Sequence, residues 1–265
     1  MGAIIKSYYA KEKGIDPKDI FVVSIMPCTA KKDEKERKQL QRDGIKDVDA
    51  VLTVRELGDM IKRAGILFNR LPERKFDWDL MGESSGAATI FGVTGGVMEA
   101  ALRTAYYTIE GVEHEAINFE AVRGFDSLKE ATVTMGGKEF NVAVVSGMKE
   151  VRKILDDVAK GQCKYHFVEV MGCPGGCING GGMPVVRKTF LPYEEPNIID
   201  TYREKRAAAL YSEDERVSLR QSHNNGHVKA LYEKFLGKPG GHLAHELLHT
   251  SYEKQDDFRP PWELK

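Results

Sequence analysis

Cysteine is scarce in this chain, with four in 265 residues, at positions 28, 163, 173 and 177. A disulfide-stapled scaffold is therefore excluded, since a chain this long can bury a core without covalent staples. Charge of one sign is also missing: 39 Lys and Arg face 40 Asp and Glu, for a net charge of −1. That balance gives no bulk electrostatic pull on nucleic acid or an anionic membrane. No apolar run approaches the ~20 residues of a membrane span. The start, Met1-Gly2-Ala3-Ile4-Ile5-Lys6-Ser7, lacks the basic, apolar and small segments of a secretion signal. Lys6 also stands where a myristoylation signal has Ser or Thr. These absences lead us to expect a cytoplasmic protein with neither nucleic-acid nor membrane partners. In a reducing compartment, four thiols point to metal or redox chemistry.

What is present is a composition 42% hydrophobic and 30% charged, ordinary for a globular protein. Residues 2–13 read as an amphipathic helix stopped by Gly14. Phe21-Val22-Val23-Ser24-Ile25 reads as a buried strand, 31–43 as a solvated helix, and Asp49-Ala50-Val51-Leu52 as a second strand. Thr53-Val54-Arg55-Glu56 is a capping box opening a helix that Gly65 stops. A glycine-rich stretch from Gly82 to Gly96 precedes a strong helix beginning Val97-Met98-Glu99. A hairpin turning at Gly136-Gly137 is expected within 133–145, a helix over 148–159, and a strand over 166–171. Alternation of strands and helices predicts an α/β fold. After Pro192 the chain turns polar and helical, with Ser212-Glu213-Asp214-Glu215 read as a cap and Pro239-Gly240-Gly241 as a break. The expected division is 1–192, an α/β part, and 193–265, a helical appendage.

Two segments place cysteines directly after predicted strands: Met26-Pro27-Cys28-Thr29-Ala30-Lys31-Lys32 and Glu169-Val170-Met171-Gly172-Cys173-Pro174-Gly175-Gly176-Cys177. Turns at strand ends aim backbone N–H groups at anions, and thiolates in such turns suit an iron–sulfur cluster. Spacing alone is weak, because two cysteines four apart also fit a tight turn with buried thiols. Pro174-Gly175-Gly176 cannot continue a helix, however, so Cys173 and Cys177 share one loop. Gly180-Gly181-Gly182 lets the backbone approach something closely. Lys31 could lower a thiol pKa or bind an anion, against the plain reading of a solvated helix start. Met26, Met171 and Met183 could form a soft shell, although methionine is more often core filler.

These segments, as they stand, resemble the second and third cysteine signatures of the iron-only (di-iron, FeFe) hydrogenases. Phe91-Gly92-Val93-Thr94-Gly95-Gly96-Val97-Met98-Glu99 resembles that family's internal segment. Ser222-His223-Asn224-Asn225 and His245-Glu246-Leu247-Leu248-His249-Thr250 resemble its small-subunit-like C-terminal region. The resemblance covers nearly the whole chain, in order. It implies an H-cluster domain of parallel and mixed sheets flanked by helices, with a helical C-terminal appendage. It implies a 4Fe–4S cubane bridged to a di-iron subcluster carrying carbon monoxide, cyanide and a dithiolate. By motif position, Cys28, Cys173 and Cys177 would be cubane ligands, with Cys177 the bridging one. Lys31 would hydrogen-bond a cyanide, Met26, Pro27 and Met171 would line the di-iron pocket, and Phe91 would pack near the cluster. The implied reaction is reversible oxidation of dihydrogen to protons and electrons, linked to ferredoxin, another iron–sulfur carrier or NAD(P). Hydrogenase maturation proteins are the further implied partners.

Three departures from the family pattern stand out. The first signature, which supplies the fourth cubane cysteine and a proton-relaying cysteine, is missing from the 27 residues before Cys28. The sequence thus reads as N-terminally truncated and inactive alone, needing a chain that supplies the missing cysteine. Gly172 stands where alanine is usual and Met183 where glutamine is usual, which supports a second reading as a non-catalytic hydrogen sensor or iron–sulfur binding protein. Cys163 is read as a free thiol, since the strand between it and Cys173 separates them. His245-Glu246-x-x-His249 fits the zinc-hydrolase motif, with His242, Glu253 or Glu263 as further ligands. Its plainer reading is an amphipathic helix with histidines at the rim.

Overall fold

A computed structural model describes residues 1–77, 81–114, 118–185 and 198–252. Strand β1 (Val23–Met26) pairs in parallel with β2 (Ala50–Thr53), in the register Val23↔Ala50 to Met26↔Thr53. Helix α1 (Val54–Arg63) starts on the expected capping box. The Glu56 N–H donates to Thr53 Oγ1 (3.2 Å), and the Thr53 N–H donates to Glu56 Oε2 (2.8 Å). Helix α2 (Gly86–Ile90) leads into α3 (Gly96–Glu110).

The second sheet has the order β3–β4–β5, with β3 (Leu128–Met135) antiparallel to β4 (Lys138–Ser146) and β5 (Phe167–Met171) parallel to β4. Helix α4 (Met148–Ala159) connects β4 to β5. Side chains alternate across a strand, so the run Val142-Ala143-Val144-Val145 can bury both faces. Val142 and Val144 pack with Met98 and Leu102 of α3, while Ala143 and Val145 pack with Val151 and Ile154 of α4. The fold is thus α/β, with a mixed sheet held between helices.

The C-terminal helices share cores with the rest of the chain. Helix α5 (Ile198–Arg216) brings Ala207, Leu210 and Tyr211 against Val93 and Ile178. Helices α6 (Gly226–Leu231) and α7 (His242–Leu248) enclose Ala3 and Ile4 with Leu231, Ala244 and Leu247. The division placed at 192/193 lies outside the described residues.

Several sequence expectations need correction. Phe21, Val23 and Ile25 are not buried but 73%, 46% and 40% exposed, because among the described residues β1 has only β2 as a sheet partner and one face stays open. The segment 31–43 is no continuous helix. It makes one helical turn at Lys31–Glu34, a 3-10 turn at Lys38–Leu40, and then a short hairpin pairing Gln41–Arg42 with Ile45–Lys46. Ser212-Glu213-Asp214-Glu215 is not a cap, since it lies inside α5 with Asp214 fully buried. The N-terminal helix runs as expected to Gly14 (φ 63°), with a π-helical stretch over Ile5–Tyr9.

Candidate metal centre

Both cysteine segments leave the C-terminal ends of strands, β1 into Cys28 and β5 into Cys173. After β5 the chain turns sharply. Gly175 (φ 84°) and Gly176 (φ 92°) occupy the left-handed region that side chains disfavour. The Gly176 N–H donates to the Cys173 carbonyl (2.9 Å), and Cys177 opens a 3-10 turn. The triple glycine then lies directly on the first cysteine segment. The Gly182 N–H donates to the Pro27 carbonyl (2.9 Å). A Cβ at Gly180 would sit 2.2 Å from the Pro27 oxygen, and one at Gly182 would sit 2.8 Å from the Cys28 nitrogen. Arg55, from the first turn of α1, donates its backbone N–H to Gly182 O (3.3 Å) and its Nη2 to Gly181 O (2.8 Å). What the glycines approach closely is therefore the backbone around Cys28.

The loop from Gly92 to Gly96 forms a further wall. Ile178 N–H donates to Gly92 O (2.9 Å), Thr94 N–H donates to Gly175 O (3.2 Å), and a Cβ at Gly176 would stand 2.6 Å from the Thr94 nitrogen. Gly180→Ala is expected to disrupt this clasp by overlap alone, as Gly180 has an ordinary φ of −67°. Forcing a methyl group into packed backbone costs about 1–3 kcal/mol. Thermal melting should show the loss, and Cys28 should react faster with a thiol reagent. Unchanged melting and thiol reactivity would mean that the two segments are not held together there.

The electrostatics agree with the backbone contacts. Burial pushes the Cys177 thiol up, Cys28 and Cys173 push it further, Lys31 pulls it down, and Glu169 adds a smaller upward push. Cys177 thus lies within electrostatic reach of both other cysteines, and bound metal cations would relieve the cost of ionising its thiol. The donor set is all sulfur, which suits iron–sulfur ligation. Among the described residues no three His, Cys, Asp or Glu side chains converge on a single-ion site. A cubane is larger than one ion, so its ligands stand further apart.

The other candidates are placed less uniformly. Met26 and Lys31 line a cavity of about 230 Å³ together with Met1, Ser24, Glu34 and Val51. Lys31 Nζ is ion-paired to Glu34 (2.6 Å). Met171 is half-buried at the end of β5, where its carbonyl accepts from Gly147 N–H (2.9 Å). Phe91 is 46% exposed beside Gly92. Cys163 packs elsewhere, in the cluster with Val151 and Ile154, as its spacing predicts. Helix α7 ends at Leu248, so His249 falls beyond it in extended backbone and stacks on His245 (4.9 Å between ring centroids) rather than opening toward a shared ion. Glu253 and Glu263 lie outside the described residues.

Sequence reasoning missed Glu169 and Arg55. Glu169 had a signal: a carboxylate on an otherwise apolar strand must find partners if buried. Its partners are the N–H groups of Gly95 (2.6 Å) and Met98 (2.7 Å). Arg55 carries no local signal, because it acts from across the fold.

The chain belongs to the iron-only hydrogenase family: residues 1–181 match the family described as iron only hydrogenase large subunit, C-terminal domain. Residues 200–255 match the iron hydrogenase small subunit. The chain is 46% identical over 253 residues to iron hydrogenase 1 of Clostridium pasteurianum, covering 96% of this chain and 43% of that protein. It is 56% identical over 185 residues to the periplasmic Fe hydrogenase large subunit of Nitratidesulfovibrio vulgaris, covering 70% and 44%. A more distant match, 28% identical over 261 residues, is cytosolic iron-sulfur assembly component 3 of Bos taurus, covering 95% and 51%. Among solved structures, a variant of the FeFe-hydrogenase from Chlamydomonas reinhardtii superposes with a TM-score of 0.75 at 39% identity, covering 95% of this chain and 67% of that one. The chain thus spans less than half the length of the two hydrogenase relatives. No helix among the described residues is long and apolar enough to cross a membrane.

Proposed function

We propose that this protein is the cluster-holding part of an iron-only hydrogenase, with Cys28, Cys173 and Cys177 as three ligands of a 4Fe–4S cubane and Cys177 as the bridge to a di-iron unit. The observation that supports the reading is the backbone clasp between the two cysteine segments, whose cysteines are 145 and 149 residues apart in sequence. When bound, the group supplies reversible interconversion of dihydrogen with two protons and two electrons. The chain's own residues hold and orient it. The Gly180–Gly182 segment fixes the spacing of the two thiol loops, and the 92–96 loop fixes the turn that carries Cys177. Lys31, released from Glu34, would donate a charge-assisted hydrogen bond to a cyanide ligand. Met26, Pro27 and Met171 would exclude water on the di-iron side, with Phe91 beside the cluster.

A cubane takes four thiolates, and Cys163 lies in a different packing cluster. The fourth ligand and the proton relay would therefore come from polypeptide outside these 265 residues. Within this reading 1–192 is the cluster domain, 193–265 the small-subunit-like appendage, and the isolated chain is inactive. Electrons leave to ferredoxin, another iron–sulfur carrier or an NAD(P)-linked partner, and maturation proteins deliver the di-iron unit. We place the protein in the cytoplasm, where a reducing environment keeps cysteines available as cluster ligands.

The test is hydrogen evolution from a reduced viologen by this chain completed with the polypeptide that supplies the fourth cysteine, after anaerobic loading with the di-iron unit. Activity lost in Cys177→Ser supports the reading. A fully loaded protein that evolves no hydrogen would instead favour the non-catalytic sensor or iron–sulfur binding role. Met183 and the likeness to an iron–sulfur assembly component favour that second role. Gly172, where the family has alanine, favours it as well; a Cβ there would meet no protein atom within 4 Å.

A further inference from the structure

Behind the thiol loops lie two buried charges of opposite sign that the proposed chemistry does not use. Glu169 is 5% exposed, on β5, four residues before Cys173. Its two carboxylate oxygens accept from the N–H groups of Gly95 (2.6 Å) and Met98 (2.7 Å), at the N-terminus of α3. Both oxygens acting as acceptors is the pattern of the ionised form. Lys129, 7% exposed, donates Nζ to the carbonyls of Gly124 (2.8 Å) and Thr94 (3.3 Å) and to Thr94 Oγ1 (3.4 Å). Burial pushes the Glu169 carboxyl up against those two N–H groups and the Lys129 charge. Burial pushes Lys129 down to about 8, against the pull of Glu169 and Asp126.

Two consequences meet at this residue. Glu169 joins the strand that delivers Cys173 and Cys177 to the same 92–96 loop that hydrogen-bonds Gly175 and Ile178 around Cys177. Its charge also sits against that loop: Glu169 Oε1 accepts from Gly95, next to Thr94, whose N–H donates to Gly175 O (3.2 Å) in the turn between Cys173 and Cys177. A fixed buried negative charge beside a redox centre opposes reduction of that centre, because reduction adds further negative charge at low dielectric.

We propose that Glu169 is a positioning and potential-setting residue of the thiol site: its buried carboxylate ties β5 to the cradle loop and lowers the reduction potential of the cluster held there, with Lys129 as the partial counter-charge. The inference rests on the proposed cluster ligation. A structural tie alone makes no prediction about the sign of a potential shift, whereas this assignment does.

The experiment compares the wild-type chain with Glu169→Gln and Lys129→Met after anaerobic reconstitution with iron and sulfide. It reads iron per chain and the midpoint potential of the cluster from a redox titration followed by electron paramagnetic resonance. Glu169→Gln should shift the potential in the positive direction. Lys129→Met should shift it less, in the negative direction, with iron content retained. If Glu169→Gln fails to fold, the sign of the Lys129→Met shift decides. Potentials that stay at the wild-type value, or a positive shift for Lys129→Met, would overturn the proposal while leaving the ligation intact. No iron uptake by the wild-type chain would overturn the ligation and this inference together.

Discussion

Cys177→Ser is expected to abolish retention of an iron–sulfur cluster while leaving the fold in place. The backbone at Cys177 is fixed without its sulfur: Gly176 sits against Thr94, Ile178 N–H bonds Gly92 O at 2.9 Å, and Gly180 N–H bonds the Cys177 carbonyl at 2.9 Å. Serine replaces the sulfur with a smaller, harder oxygen that iron–sulfur clusters hold less well. Loss of an outer-shell partner typically costs about 10–100-fold in metal affinity. Loss of the ligand itself should exceed that, leaving iron near background after gel filtration. Melting of the metal-free chain should stay within about 0.5 kcal/mol of wild type, because the hydroxyl fits the space of the thiol. Cys163→Ser should retain the cluster, since Cys163 packs with Val151 and Ile154. Iron retained in Cys177→Ser, or lost equally in Cys163→Ser, would contradict the assignment.

The second large effect concerns stability. Arg103, Glu99 and Asp214 form the buried centre of an ionic cluster that joins α3 to α5. Arg103 Nη1 and Nη2 donate to the two Asp214 oxygens at 2.8 Å each, and Nη2 also reaches Glu99 Oε1 at 2.7 Å. Arg123 bonds both Glu99 oxygens, and Arg220 pairs with Asp214. Arg103→Met should destabilise the chain by about 3–5 kcal/mol, because it leaves two buried carboxylates short of a partner. For a chain of this size that is a fall of roughly 10 °C in melting temperature. A fall of less than about 2 °C would mean that the cluster does not fasten the C-terminal helices.

The same cluster sets a pH dependence with a definite sign. Burial pushes the Asp214 carboxyl up, and the hydrogen bonds and charges of Arg103 and Arg220 more than reverse this, so it titrates below its ordinary value. The folded chain then binds fewer protons here than the unfolded chain. The contribution is present above the unfolded carboxyl pKa of about 4 and is lost as pH falls below it. Asp214→Asn should flatten that part of the acid denaturation curve, as read by urea melts between about pH 5 and 2.

Elements whose cause is local were legible in the sequence. The Thr53–Glu56 capping box, the Gly136-Gly137 hairpin and the helix over 148–159 each depend on residues a few positions apart, and the structure shows all three. The two cysteine segments were legible for the same reason. The expected helix over 31–43 failed on a local turn at Asp43-Gly44, both with positive φ, but the other failures depended on partners far away in sequence. Phe21, Val23 and Ile25 have the composition of a buried strand, and only the arrangement of sheets shows that nothing among the described residues covers one face. Asp214 sits in a run that looks like a helix cap, but its partners are at 103 and 220. The glycines at 180–182 announced a close approach without naming the object, which is the backbone of Pro27 and Cys28. Glu169 was visible only as an oddity on an apolar strand, until the N–H groups at 95 and 98 gave it a place.

The central claim is that the thiols of two distant segments hold one iron–sulfur cluster. Its most direct test is iron and acid-labile sulfide per chain after anaerobic reconstitution, in the wild type and in the triple variant Cys28→Ser/Cys173→Ser/Cys177→Ser. The account predicts near-equal iron and sulfide in the wild type and neither above background in the triple variant, with both chains equally folded. Equal uptake by the two chains would place any bound iron elsewhere and contradict the account.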